Sequence, residues 1–158
     1  MKKANPTVLS SPTSEISVGT NIGLLGGSFN PAHEGHLEIS LLALEKLSLD
    51  CIWWMVSPQN PLKPKKGMAS ISERLSTARS TADDPRISVT DIETELGTLY
   101  TADTLLALRD HFSETRFVWL MGADNLLQMH HWQKWSKIFY TVPVAVFARP
   151  NYSLPAHL

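Results

Sequence analysis

The feature that most constrains this chain is a repeated alternation of short strand-like runs, most of them apolar, with segments of helical character. The runs are Ile22 to Gly26, Cys51 to Val56 (CIWWMV), a stretch near Arg86 to Thr90, Arg116 to Met121 (RFVWLM) and Val142 to Ala148. Between the first two, Leu37, Leu41 and Leu44 fall at the i, i+4, i+7 spacing of one helix face within His36 to Leu47. Helical residues also fill Ser70 to Ala82, and Thr101 with Asp103 opens a further helix in the manner of a capped first turn. A short helix is expected after Gly122 and Ala123, and another over Trp132 to Tyr140. Strands that read apolar throughout belong to a parallel sheet covered on both faces. The pattern therefore predicts an α/β fold, a doubly wound parallel sheet of about five strands.

Composition narrows the partners. With 158 residues, 43% of them hydrophobic, the chain can bury one core but not two, which predicts a single domain over 21–158. Residues 1–20 (MKKANPTVLSSPTSEISVGT) read as a disordered Ser/Thr/Pro leader. A formal net charge of −1 without a basic stripe argues against a nucleic-acid polymer as partner. No apolar run approaches bilayer length, so no membrane partner is expected. Cys51, the single cysteine, excludes an internal disulfide or a multi-cysteine zinc site, fits a reducing, cytoplasmic compartment, and reads as a small buried apolar residue. Trp53, Trp54 and Trp119 lie on expected strands and read as core. Oligomeric state is not legible.

Every unusual segment falls where the chain leaves a predicted strand. GGSFNPAHEGH follows the first, SPQNPLKPKK the second, GTLYTADT the third and GAD the fourth. Ligands of open α/β sheets bind beyond the carboxyl ends of the strands, so one site built from several loops is expected. GGSFNPAHEGH has neither the dinucleotide spacing G-x-G-x-x-G nor the phosphate-loop spacing G-x-x-x-x-G-K-[ST]. As a transition-metal site it is poor, because H-E-G-H is not H-E-x-x-H and no cysteine or close carboxylate pair completes a ligand set. Two surface histidines in a tight turn would be the plainest reading. The alternative is phosphate handling: Gly26 and Gly27 let backbone N–H groups approach a polyanion, Pro31 stiffens the bend, and His36 stands at a helix N-terminus as a donor to phosphate oxygens. Lys63, held between Pro61 and Pro64, adds positive charge from the neighbouring loop, while Lys65 and Lys66 serve equally well as solvated loop residues.

These residues carry a resemblance. GGSFNPAHEGH resembles the G-x-F-[DN]-P-x-H-x-G-H signature of the nucleotidyltransferase superfamily, whose domains are Rossmann-like. The ordered features SPQNPLKP, ISER, DIETELGTLYTADTL, FVWLMGADNLL, W-x-x-W and VFARP resemble the bacterial nicotinate-nucleotide adenylyltransferases over roughly residues 22–152. Pantetheine-phosphate adenylyltransferases and glycerol-phosphate cytidylyltransferases share the first motif but are not expected to share YTADTL and GADN. The resemblance implies AMP transfer from ATP to nicotinate mononucleotide, giving deamido-NAD and pyrophosphate without a covalent enzyme intermediate, in NAD biosynthesis. It places His33 and His36 on the ATP phosphates, with His36 the better candidate for stabilising the transition state. Gly26, Gly27, Ser28 and Phe29 line the nucleotide cleft, and Asp124 lies near the ATP ribose. Lys63 faces substrate phosphate and joins the histidines as a catalytic candidate. Thr101 marks the position that holds the nicotinate carboxylate, and Trp132 matches a ring stacked on the pyridine, although Trp132 and Trp135, three apart, would also suit a helical core. Trp132 is taken as the stacking ring and Trp135 as core. Mg²⁺ is implied as a bridge between phosphate oxygens, with no protein ligand named.

One departure stands out. The family continues past Arg149-Pro150 to a late Ser-x-Thr-x-x-Arg type motif that holds the ATP phosphates, and nothing matching it occurs here. The expectation is a domain lacking its usual C-terminal part, with the substrate cleft encoded but activity weak or absent. Pantetheine-phosphate adenylyl transfer and an impaired nucleotide-binding remnant are the alternatives.

Overall fold

In the computed structural model, which describes residues 19–58 and 67–148, the five apolar runs form one sheet. Its strands are β1 (Asn21–Gly27), β2 (Cys51–Val56), β3 (Ile87–Thr90), β4 (Arg116–Gly122) and β5 (Val144–Phe147). All neighbours pair in parallel, in the order β3-β2-β1-β4-β5, with Leu24 of the central strand in register with Trp53 and Trp119. From β1 the chain winds outward through β2 to β3, then returns to the opposite side of β1 for β4 and β5. That reversal leaves a crevice between the loops at the carboxyl ends of β1 and β4, the place where such sheets bind ligands.

Six helices cover the faces: α1 (Glu34–Lys46), α2 (Ile71–Thr81), α3 (Ile92–Leu96), α4 (Thr101–His111), α5 (Ala123–Leu126) and α6 (Trp135–Thr141). Successive strand residues point to opposite faces, so each strand feeds two cores. Leu24, Trp53 and Trp119 join Ile92, Leu105, Leu108 and Ile138 from α3, α4 and α6. Leu25, Trp54 and Leu120 join Ile39, Ala43 and Ala78 from α1 and α2 on the other face. This two-sided burial is why the inner strands lack polar alternation, whereas the edge strand β3 alternates Ile87, Ser88, Val89 and Thr90. Each large apolar side chain so buried contributes about 1.5–3 kcal/mol.

The helices differ from expectation in instructive ways. α1 buries Ile39, Ser40, Ala43 and Leu44, while Leu41 is 40% exposed, so the stripe lies to one side of the expected leucine face. α2 starts on a reciprocal capping box between Ser70 and Glu73, which fixes its first turn. α3 was not anticipated, because the acidic segment IETEL shows no apolar face; burial of Ile92 and Glu93 holds it, and Gly97 ends it in the left-handed conformation at φ 72°. α4 begins at Thr101 as expected, but its N-cap residue, Tyr100, makes no side-chain cap bond, and Asp103 in the first turn pairs with Lys134 at 3.1 Å. A 3-10 turn, Met129–His131, precedes α6, and Lys134 at φ 57° separates the two, so Trp132 and Trp135 share no helix face. Trp135 is accordingly not core: it is 41% exposed and meets only the edge of Phe139's ring among the described aromatic pairs. The last strand is shorter than expected because Val142 ends α6 and Pro143 has no N–H to pair. Cys51 is half-buried rather than buried. No helix among the described residues is long and apolar enough to cross a membrane. The expected leader falls almost wholly outside the described residues, as does Lys63.

Candidate active site

The turn from β1 into α1 is a closed local unit. His33 is the N-cap of α1: its Nδ1 accepts from the Gly35 N–H at 3.1 Å, and His36 Nδ1 accepts from the His33 N–H at 3.1 Å. Two imidazoles thus do the work that Ser and Glu perform in an ordinary capping box. Because both Nδ1 atoms accept, each neutral ring carries its proton on Nε2. The rings lie 4.1 Å apart, centroid to centroid, at the N-terminus of a 13-residue helix. Helix dipole and ring N–H groups together favour an anion there. Behind them Phe29 is buried against His36 at 4.4 Å and stacks on Trp54 at 5.3 Å. Phe29 holds φ at 51°, a conformation that a bulky side chain adopts at a cost of about 1–3 kcal/mol, and this packing maintains it. The Trp54 indole N–H donates to Ser40 Oγ at 2.8 Å, and Ser40 donates to the His36 carbonyl at 2.8 Å, so the buttress is fully hydrogen-bonded.

Beside this turn opens a cleft of about 530 Å³. Gly26, Gly27 and Ser28 form one wall; Thr101, Trp119 and Trp132 are among the residues of the other. A Cβ on Gly26 would stand 2.6 Å from Cη2 of Trp119, so glycine is required for the indole to lie across the strand end. Trp132 meets Trp119 edge to face at 6.2 Å, which sets its ring on the cleft wall. Asp124 sits in the first turn of α5, directly beyond β4, half-buried and outside the cleft lining. Phe29, His33 and His36 also lie outside that lining. The structure therefore gathers most of the expected residues into two groups, the histidine turn and the cleft, that share the β1 terminus; Asp124 on α5 joins neither, and Lys63 lies outside the described residues.

Two charged residues of this region, Arg74 and Glu93, were missed from the sequence, and Trp119, expected as core, carries an unexpected feature. Arg74, 2% exposed, donates from Nη1 to the carbonyls of Ser28 (3.0 Å) and Ser57 (2.8 Å) and from Nε to that of Ala69 (3.0 Å). It pins the ends of β1 and β2 to the entry of α2, and it has no ion-pair partner among the described residues. Burial lowers its pKa, yet a guanidinium stays charged. Glu93, 5% exposed, lines the same cleft, and burial raises its carboxyl to about 7 against an opposing hydrogen bond from Thr104 at 2.7 Å. Trp119, 2% exposed, leaves its Nε1–H buried without a hydrogen-bond partner among the described residues. The ISER and IETEL segments hinted at helix starts, but nothing in them announced a buried charge. Asn30 adds a further tie, donating to the Gly67 carbonyl at 2.8 Å and accepting from the Ala69 N–H at 3.1 Å.

A parallel sheet of this order, with an anion-favouring turn and a cleft at its switch point, defines the class of α/β nucleotidyltransferases. The cytidylyltransferase-like family model matches residues 24–157. The chain is 58% identical over 143 residues to a protein of Parvibaculum lavamentivorans named "Probable nicotinate-nucleotide adenylyltransferase", covering 90% of this chain and 71% of that one. A Bradyrhizobium protein of the same name is 55% identical over 135 residues, covering 85% of this chain and 70% of its own length. Among solved structures, the Plasmodium falciparum nicotinic acid mononucleotide adenylyltransferase complexed with NaAD shares the fold with a TM-score of 0.73 at 17% identity, over 87% of this chain and 69% of that one. The chain belongs to the cytidylyltransferase-like family and, within it, to the nicotinate-nucleotide adenylyltransferases.

Proposed function

We propose that this chain transfers AMP from ATP to nicotinate mononucleotide, forming deamido-NAD and pyrophosphate. The observation that carries the reading is the paired-imidazole cap of α1 standing beside a cleft large enough for a mononucleotide. A 5′-phosphate oxygen of the mononucleotide attacks the α-phosphorus of ATP in line, and the bond to the pyrophosphate oxygen breaks. Nothing in this step needs a protein nucleophile; it needs alignment and donors placed where charge collects. His33 and His36 donate Nε2–H to the triphosphate, and the backbone of Gly26, Gly27, Ser28 and Phe29 borders it. Lys63, outside the described residues, adds charge to the phosphates. Asp124 approaches the ATP ribose. In the cleft, Thr101 at the start of α4 receives the nicotinate carboxylate and Trp132 stacks on the pyridine.

Nucleotidyltransferases of this family take ATP with a divalent metal. No group of three or more His, Cys, Asp or Glu side chains placed to hold a metal occurs among the described residues. ATP is taken in this proposal as its magnesium complex, whose ion would offset phosphate charge. The domain reading, a leader before residue 21 and a nucleotidyltransferase domain after it, belongs to the same proposal, with a cytoplasmic setting.

The test is pyrophosphate release and deamido-NAD formation by the 158-residue chain with magnesium-ATP and nicotinate mononucleotide, alongside phosphopantetheine. Turnover with the nicotinate substrate should fall about 100-fold or more in His36→Ala, the loss expected for one transition-state donor. Preference for phosphopantetheine, or turnover unchanged by His36→Ala, would overturn the proposal.

A further inference from the structure

The cleft holds one carboxyl group that the proposed reaction does not use. Glu93 projects from α3, immediately beyond β3, into the same lining as Thr101 and Trp132. Its Oε2 lies 2.7 Å from Thr104 Oγ1, which is 2.7 Å from Thr98 Oγ1 and 3.1 Å from the Tyr100 carbonyl. These hydroxyls run from Glu93 to the segment that carries Thr101, and they have two proton arrangements. With Glu93 ionised, Thr104 donates to Glu93. With Glu93 protonated, Oε2–H can donate to Thr104, whose own proton then turns to the Tyr100 carbonyl, so every member keeps a partner.

We propose that Glu93 is a proton-linked specificity residue, admitting an anionic pyridine mononucleotide when neutral and opposing it when ionised. The inference rests on the mononucleotide reading of the cleft. Its physical basis is charge: a nicotinate carboxylate held at Thr101 shares a low-dielectric cleft with Glu93, and two carboxylates there repel unless one is protonated. A neutral amide in the same place meets no such penalty. Burial puts the Glu93 transition near neutrality, about 7, where the choice of form matters. Among the described residues, the other ionisable groups lining the cleft are Arg74, Tyr100 and His131. β2, on which α3 packs, offers only Cys51, at its opposite end, and the acid nearest the start of α4, Asp103, is paired with Lys134. None supplies a second carboxylate to the cleft.

Equilibrium binding of nicotinate mononucleotide and nicotinamide mononucleotide, measured calorimetrically between pH 5.5 and 8.5, tests the idea without requiring turnover. Comparing the two ligands cancels titration of their shared phosphate. The ratio of acid to amide affinity should be level below about pH 6 and fall by up to about tenfold per unit above the Glu93 transition. In Glu93→Gln the ratio should become independent of pH. Thr104→Val removes a hydrogen bond that favours the ionised form, so the fall should move to higher pH. A level ratio in the unaltered chain, or the same slope in Glu93→Gln, would overturn the inference and leave the mononucleotide reading intact. Failure of both ligands to bind the unaltered chain would sink the mononucleotide reading and this inference with it.

Discussion

On either side of the central strand, β2 and β4 each bury a tryptophan, on opposite faces of the sheet and with opposite fates. Trp54, behind the histidine turn, has its indole N–H satisfied by Ser40, and through Ser40 it is joined to the His36 carbonyl. Trp119, behind the cleft, has no partner for its N–H among the described residues and lies against Trp132 and the bare backbone of Gly26. The first face is finished by residues close in sequence: His33, Gly35, His36 and Ser40 close their own bonds within one turn of each other. The second is assembled from a distance, with Arg74, in the cleft lining, reaching Ser57 across 17 positions and Ser28 across 46, whereas the turn has long ties only through Asn30, to Gly67 and Ala69. The histidine turn is thus organised largely by its own local bonds, whereas the shape of the cleft depends on the whole sheet being in place.

This difference is open to attack. Arg74→Met should be the most damaging change to the fold. It removes the donor to the carbonyls of Ser28, Ser57 and Ala69, and a loss of about 3 kcal/mol is expected in denaturant unfolding. Mononucleotide affinity should fall in the protein that remains folded. Stability and affinity both unchanged would show that the loops are held without it. Gly26→Ala should cost about 1–3 kcal/mol, because the new methyl meets the Trp119 ring. Its neighbour provides the contrast: a Cβ on Gly27 would meet only Phe29, at 3.8 Å, so Gly27→Ala should leave the unfolding midpoint nearly where it was. Equal effects at the two glycines would remove the indole from the explanation. The smallest loss of stability among the damaging changes is expected for His33→Ala, about 1 kcal/mol, the worth of one helix cap. A much larger loss would mean that the turn is not the self-contained unit described above.

The sequence alone determined the parts governed by local rules. Five apolar runs separated by helices fixed a parallel, doubly covered sheet, since strands buried on both faces have no polar side to show. Glycine, proline and two histidines within eleven residues marked the turn, because bend geometry and capping act over three or four positions. Thr101 and Trp132 were reached through resemblance of motif order, and the fold then set both on one cleft. What only the tertiary structure decided are the long-range choices. Trp132 and Trp135, equivalent by spacing, went to the cleft and to solvent because Lys134 breaks the helix between them. Arg74 and Glu93 look like ordinary surface charges in ISER and IETEL, and they became a buried brace and a buried acid when the sheet brought backbone carbonyls and threonine hydroxyls to them. Burial and its cost are properties of the assembled molecule. No window of sequence contains the distant groups that satisfy a buried charge, so its site could be seen only once the chain had folded around it.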